Sequence, residues 1–148
     1  MKALVMVLTL TLAVVTTAIA DDTDLKRYVS DFDYAARKEM KIDSKGLIKL
    51  LEQGKAQLID IRFKEEFEAW QVGPATNIPL PELPARLAEL DTSKTIVLSC
   101  PHKDRAIVAM TYLRSEGIKA KYMTDGLLGM AENLRGDNAK SFVQQLSQ

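Results

Sequence analysis

The sequence is poor in the residues that build most catalytic and metal sites. It has one cysteine, Cys100, one histidine, His102, and one tryptophan, Trp70, in 148 residues. A single cysteine excludes an internal disulfide and the paired-thiol chemistry of disulfide isomerases. It leaves three roles: a buried inert thiol, an intermolecular partner, or a reactive group. A single histidine without a second cysteine leaves no set of imidazole and thiolate ligands, so no metal is expected. Neither sign of charge prevails, with 20 Lys and Arg against 20 Asp and Glu. No nucleic-acid partner is therefore expected, and any recognition of anions must be local. No internal repeat or low-complexity segment interrupts the chain.

What is present is a sizeable apolar fraction, 47% of residues, enough for one domain with a real core. The first twenty residues stand apart. MKALVMVLTLTLAVVTTAIA has one cation, a long apolar run and a small-residue end, followed by Asp21 and Asp22. This is the pattern of a secretory signal peptide, cleaved between Ala20 and Asp21. An uncleaved anchor is the rival reading, since the run nears spanning length. Cleavage removes Lys2 and no acid. The expected compartment is the periplasm, with no membrane insertion after removal. Export also sharpens the question of Cys100, because cysteines in oxidising compartments usually come in pairs.

Residues 21–43 are read as a helical extension. Leu25, Tyr28, Val29, Phe32 and Ala36 fall at helical spacing over about 24–40, and this stripe is expected to pack on the domain. Ser44 is placed to cap a second helix that carries Leu47, Ile48, Leu50 and Leu51 and stops at Gly54. AQLIDIR, residues 56–62, is a buried-strand run. KEEFEAW is a short helix with the charges of its first residues in solvent, and Trp70 is a packing residue. A loop with a brief extended piece follows. Pro81 opens a helix with Leu83, Leu87 and Leu90. Residues 95–99 form a second β-rich run, 104–116 a helix with Ile107, Val108, Met110, Tyr112 and Leu113 inward, and 118–123 another strand. A helix over 127–135 and a weaker one in the tail, 137–148, close the chain. Strands alternating with helices give an α/β class with a mainly parallel sheet.

In such sheets ligands gather at the carboxyl ends of strands. Cys100 stands at one of these ends, in TIVLSCPHKDRAIVAM, residues 95–110. The helix that follows opens with amides that have no internal partner, and such an end favours anions. His102, Lys103 and Arg105 lie within five residues of the cysteine. Together these predict a thiol whose pKa falls below its ordinary value.

Four residues separate Cys100 from Arg105. This spacing, with LIDIR, EEFEAWQVGPATNIPL and YMTDGLLGM in that order, resembles the rhodanese (sulfurtransferase) family over about residues 44–136. The resemblance implies the family's α/β fold and a persulfide chemistry that needs no external cofactor. Cys100 would be the nucleophile and sulfur carrier. Pro101, His102, Lys103, Asp104 and Arg105 would form the substrate-binding loop, with the amides from His102 to Arg105 cradling the persulfide. Arg105 would close the loop and add positive charge, unless it pairs with Asp104 or a distant acid. Asp60 and Arg62 would support the site structurally. The implied partners are a small anionic sulfur donor and a thiol acceptor, with a membrane-bound sulfur enzyme as the delivery target of a carrier. Lys103 replaces a frequent glycine, Pro101 lacks an amide hydrogen, and Asp125-Gly126 stands where the family has a double glycine.

Three rivals to a turnover enzyme remain open at this stage. One is a sulfur carrier with little turnover. Another is a non-catalytic interaction domain that kept its cysteine. The third is a phosphatase, disfavoured because phosphatases of related fold place one more residue between cysteine and arginine.

Overall fold

The computed structural model describes residues 23–147. The signal segment 1–20 and its cleavage site, Ala20 and Asp21, lie outside the described residues. Among the described residues five parallel strands form one sheet in the order β1-β5-β4-β2-β3. They are β1 (Lys41–Ile42), β2 (Ala56–Asp60), β3 (Thr76–Asn77), β4 (Thr95–Ser99) and β5 (Ala120–Met123). Among the described residues seven α-helices accompany them: α1 (Thr23–Ser30), α2 (Tyr34–Glu39), α3 (Ser44–Glu52), α4 (Lys64–Ala69), α5 (Asp104–Ser115), α6 (Gly126–Asn133) and α7 (Asp137–Leu146). The α/β class with a parallel sheet read from the sequence is the observed fold.

The central strand explains where Cys100 goes. Successive side chains of a strand point to opposite faces. Ile96, Leu98 and Cys100 therefore share one face, packed with Ala106, Ala109, Met110 and Leu113 of α5. Val97 faces the other way, toward Leu47 and Leu51 of α3, Leu127 and Met130 of α6, and Phe142 of α7. Because both faces are covered, β2 and β4 read as near-continuous apolar runs.

Several local expectations are corrected. The N-terminal segment is two helices, because the Asp33 carboxylate accepts the Ala36 amide at 2.8 Å and caps a new helix. Its apolar stripe does not pack inward as a whole: Leu25, Val29 and Phe32 are exposed. Tyr28 makes the partly buried contact, its hydroxyl 3.9 Å from the Met110 sulfur. The same segment also supplies β1, paired with β5. Asp43, not Ser44, caps α3, accepting the Gly46 amide at 2.8 Å. Ser44 is instead buried, with its amide 2.9 Å from Asp125 Oδ1. The segment after Pro79 is two 3-10 turns, Leu80–Ala85 and Leu87–Glu89, since Pro84 inside it removes an amide donor. On α5 the alanines Ala106 and Ala109 face the sheet, and Val108 is turned out, 57% exposed.

Candidate active site

The loop from Cys100 to Lys103 joins the carboxyl end of β4 to the first turn of α5. Two neighbours hold it. The Ile61 amide donates to the Ser99 carbonyl at 3.0 Å, which fixes the strand end. From below, the amide of Leu127 donates to the Cys100 carbonyl at 2.9 Å, and that of Leu128 to the Pro101 carbonyl at 3.3 Å. The first turn of α6 thus spends its unpaired amides on the loop. Gly126 makes this approach possible. Its φ is +64°, and a Cβ there would lie 2.2 Å from the His102 carbonyl oxygen and 2.3 Å from that of Pro101.

Cys100 is fully buried, 0% exposed. The amides of His102, Arg105 and Ala106 are directed at its sulfur. The ring of donors therefore reaches one residue further into α5 than the stretch from His102 to Arg105 read from the sequence. Asp104 Oδ1 stands 3.6 Å from Sγ and accepts the thiol hydrogen. Burial pushes the Cys100 thiol up, and the Asp104 carboxylate adds to it; the three amides pull the other way without prevailing. The expectation of a lowered thiol pKa is thus overturned in this resting state. Desolvation of the charged form outweighs the helix end, and the nearest side-chain charge is an anion.

The cations expected to act on the thiol are engaged elsewhere or turned outward. Arg105 makes a two-pronged contact with Glu66, Nη1 to Oε2 at 2.6 Å and Nη2 to Oε1 at 2.8 Å. Of the partners open to Arg105 in the sequence, the distant acid is the one realised. Glu66 also accepts the Phe63 amide at 3.2 Å. The Arg105 guanidinium, and then that amide, hold the Glu66 carboxyl down at about 2, against some upward pull from burial. Glu66 pulls the Arg105 pKa up in return. Glu66 therefore is not part of a merely solvated helix face. It belongs to the site, tying α4 to the loop helix. A strand end followed by an acid in the third position of a short helix was its only trace in the sequence. His102 and Lys103 are exposed, and Pro101 is half-buried.

Asp60 and Arg62 lie beside this loop as a fully buried pair, Nη2 to Oδ2 at 2.6 Å with both side chains at 0% exposure. Arg62 also donates to the Trp70 carbonyl at 2.7 Å, and its guanidinium sits 4.0 Å from the Trp70 ring centre. Trp70 thus packs by covering a cation. Asn77 donates to the carbonyls of Asp60 and Arg62, both at 2.9 Å, and joins β3 to the end of β2. These contacts tie the end of β2 to β3 and to the end of α4. A cleft of about 800 Å³ opens at the opposite end of the sheet, lined by Lys55, Lys94, Arg114 and Lys121 among others. It lies away from the cysteine and takes no part in the loop. Among the described residues no group of three or more His, Cys, Asp or Glu side chains is placed to hold a metal ion.

A buried cysteine thus stands in a loop between the central strand of a parallel sheet and a helix, within an α/β fold. The rhodanese-like domain family matches residues 43–133, and the chain belongs to that family. An HTH-type transcriptional regulator of Mycobacterium tuberculosis is 33% identical over 112 residues, covering 74% of this chain and 50% of that protein. The chain spans about half the length of the curated relatives it matches. Among solved structures, the reduced CoADR-RHD of Bacillus anthracis is 31% identical with a TM-score of 0.56, over 63% of this chain and 17% of that one. The thiosulfate sulfurtransferase of Pseudomonas aeruginosa is similar in fold, with a TM-score of 0.60 at 19% identity, over 83% of this chain and 26% of that one.

Proposed function

We propose that the chain is an exported single-domain sulfurtransferase that carries sulfane sulfur on Cys100. The observation that supports this most is the cysteine itself: one thiol, buried at the carboxyl end of the central strand, with three backbone amides directed at its sulfur. The thiolate attacks the outer sulfur of thiosulfate, a polysulfide or a persulfide. The donor's S–S bond breaks, and its electron pair leaves with sulfite or a thiolate. The outer sulfur stays bound to Sγ as a persulfide. An acceptor thiolate, or cyanide, then attacks that sulfur, and Cys100 departs as thiolate. The amides of His102, Arg105 and Ala106 stabilise the negative charge on the bound sulfur, as a nest of amides does for an anion. His102 and Lys103, exposed at the loop, are the side chains an anionic donor would meet first. The Asp60–Arg62 pair and the Arg105–Glu66 contact hold the loop rather than act on sulfur.

The periplasm is the proposed compartment, on the pattern of residues 1–20. Among the described residues no helix is long and apolar enough to cross a membrane.

Turnover distinguishes an enzyme from a carrier. Thiocyanate formation from thiosulfate or polysulfide and cyanide, lost in Cys100→Ser, supports an enzyme; the absence of turnover with every donor and acceptor refutes it. The complete burial of the thiol favours a second reading, a sulfur carrier that releases its load only to a docked partner such as a membrane-bound sulfur enzyme. Stable persulfide with negligible turnover is its signature.

A further inference from the structure

We propose that Asp104 is a specificity-determining residue that makes Cys100 disfavour sulfur donors in proportion to their negative charge. The consequence is a preference for persulfides and singly charged donors over doubly charged thiosulfate. The inference rests on the sulfurtransferase reading above and names the donor class of the same site.

The geometry carries it. Asp104 Oδ1 is 3.6 Å from the attacking sulfur, closer than any cationic side-chain contact the thiol makes among the described residues. Arg105, one residue on, has both terminal nitrogens on Glu66, and Arg62 is held by Asp60. The two strong cations near the loop are therefore paired with acids of their own and make no direct contact with the sulfur. Lys103, His102 and Asp104 are all exposed, so water screens each of them, and it is the 3.6 Å approach to the sulfur that singles Asp104 out. The Arg105 amide, the Cys100 thiol and its own amide outweigh burial and hold the Asp104 carboxyl below its ordinary value, so it is ionised in the neutral range.

The chemistry follows from charge and leaving group. With thiosulfate, the Sγ–S bond forms as the donor S–S bond breaks, and the electron pair leaves with sulfite. Two negative charges then approach Asp104 together with the thiolate. With a persulfide R–S–SH, the Cys100 thiolate takes the outer SH sulfur, and R–S⁻ leaves with the electron pair of the broken bond. In the protonated form that reacts, only one negative charge is present, and it begins on Cys100; the ionised persulfide brings one charge to the site where thiosulfate brings two. R–S⁻ is more basic than sulfite, so it gains from a proton. The thiol proton that passed to water when Cys100 ionised can return to it. Atoms and charge balance in both cases, and no outside oxidant is needed.

A carboxylate about 6 Å from the donor in a water-like medium costs about threefold in rate per unit of donor charge. The test is kcat/KM for sulfur loading with thiosulfate and with benzenethiosulfonate, which carries one charge, in wild type, Asp104→Asn and Asp104→Glu. Removing the carboxylate also eases ionisation of the thiol, but that factor is common to both donors. The thiosulfate gain in Asp104→Asn should therefore exceed the thiosulfonate gain about threefold, and the excess should shrink at high salt. Asp104→Glu, which keeps the charge, should keep the wild-type preference. Equal gains for the two donors, or no gain, overturn the role of Asp104 while leaving the sulfurtransferase reading intact. Failure of wild type and both variants to load from any donor overturns both.

Discussion

Replacing Gly126 with alanine tests whether the first turn of α6 shapes the cysteine loop. Two costs meet at this position. Alanine at a φ of +64° enters the left-handed region, at about 1–2 kcal/mol. Its Cβ would also lie 2.2 and 2.3 Å from the carbonyl oxygens of His102 and Pro101. Those are backbone atoms and cannot swing aside as a side chain could, so the loop itself must shift, at about 1–3 kcal/mol more. Gly54 and Gly117 separate the two costs, because their φ values are +66° and +79° and nothing lies within 4 Å of a Cβ at either. Gly54→Ala and Gly117→Ala should lose only the conformational part. Urea unfolding at unchanged m-value should therefore place Gly126→Ala about 1–3 kcal/mol below both. Against a total stability of about 5–15 kcal/mol, that difference is easily measured. The displaced loop should also load sulfur far more slowly, since an error of about 1 Å in a reacting group costs on the order of 100-fold. If Gly126→Ala unfolds at the same midpoint as Gly54→Ala and loads sulfur normally, the close approach of α6 to the loop is wrong.

Three further predictions concern charge. Glu66→Gln should lose roughly 1 kcal/mol at pH 7, allowing for solvent screening of a pair that is about one-third exposed. The folded Glu66 carboxyl is depressed from 4.5 to about 2, so this contribution is present above 4.5 and fades as pH falls toward 2; a wild-type advantage that persists unchanged at pH 2 would contradict it. Arg62→Leu strands the buried Asp60 carboxylate and should cost about 3–5 kcal/mol in urea unfolding, whereas a cost under 1 kcal/mol would mean the pair is not buried. Alkylation of Cys100 by iodoacetamide in the unloaded protein should reach half its limiting rate above the ordinary thiol value of about 8.5. That midpoint should fall in Asp104→Asn, and a midpoint below 8.5 in wild type would show that the helix end and the cations prevail over burial.

The main strands were legible because each is a continuous apolar run with both faces covered: Ala56–Asp60 and Thr95–Ser99 were visible for that reason. Two-residue β1 carries no period at all, and only its pairing with Tyr122 and Met123 reveals it. The N-terminal stripe had helical spacing but not the context that decides whether a stripe is buried, and Asp33 broke the helix before the spacing was complete. At the site, the cysteine loop and the Asp60–Arg62 support could be placed from residue order. The electrostatics could not. Proximity in sequence put three ionisable or cationic residues near Cys100, but side-chain direction sent Arg105 to Glu66, 39 residues away, and turned Asp104 to the sulfur. Burial, which sets the thiol's resting state, is a property of α5 packed on the sheet and has no signature in the loop itself.

Cys100 is proposed to carry sulfur. Intact mass of the protein after exposure to thiosulfate and, separately, to polysulfide measures this directly, with Cys100→Ser as control. One or more added sulfur atoms are expected on the wild type, removed by cyanide and absent from the variant. No added sulfur from either donor would contradict it and leave the rhodanese-like fold without sulfur chemistry in this chain.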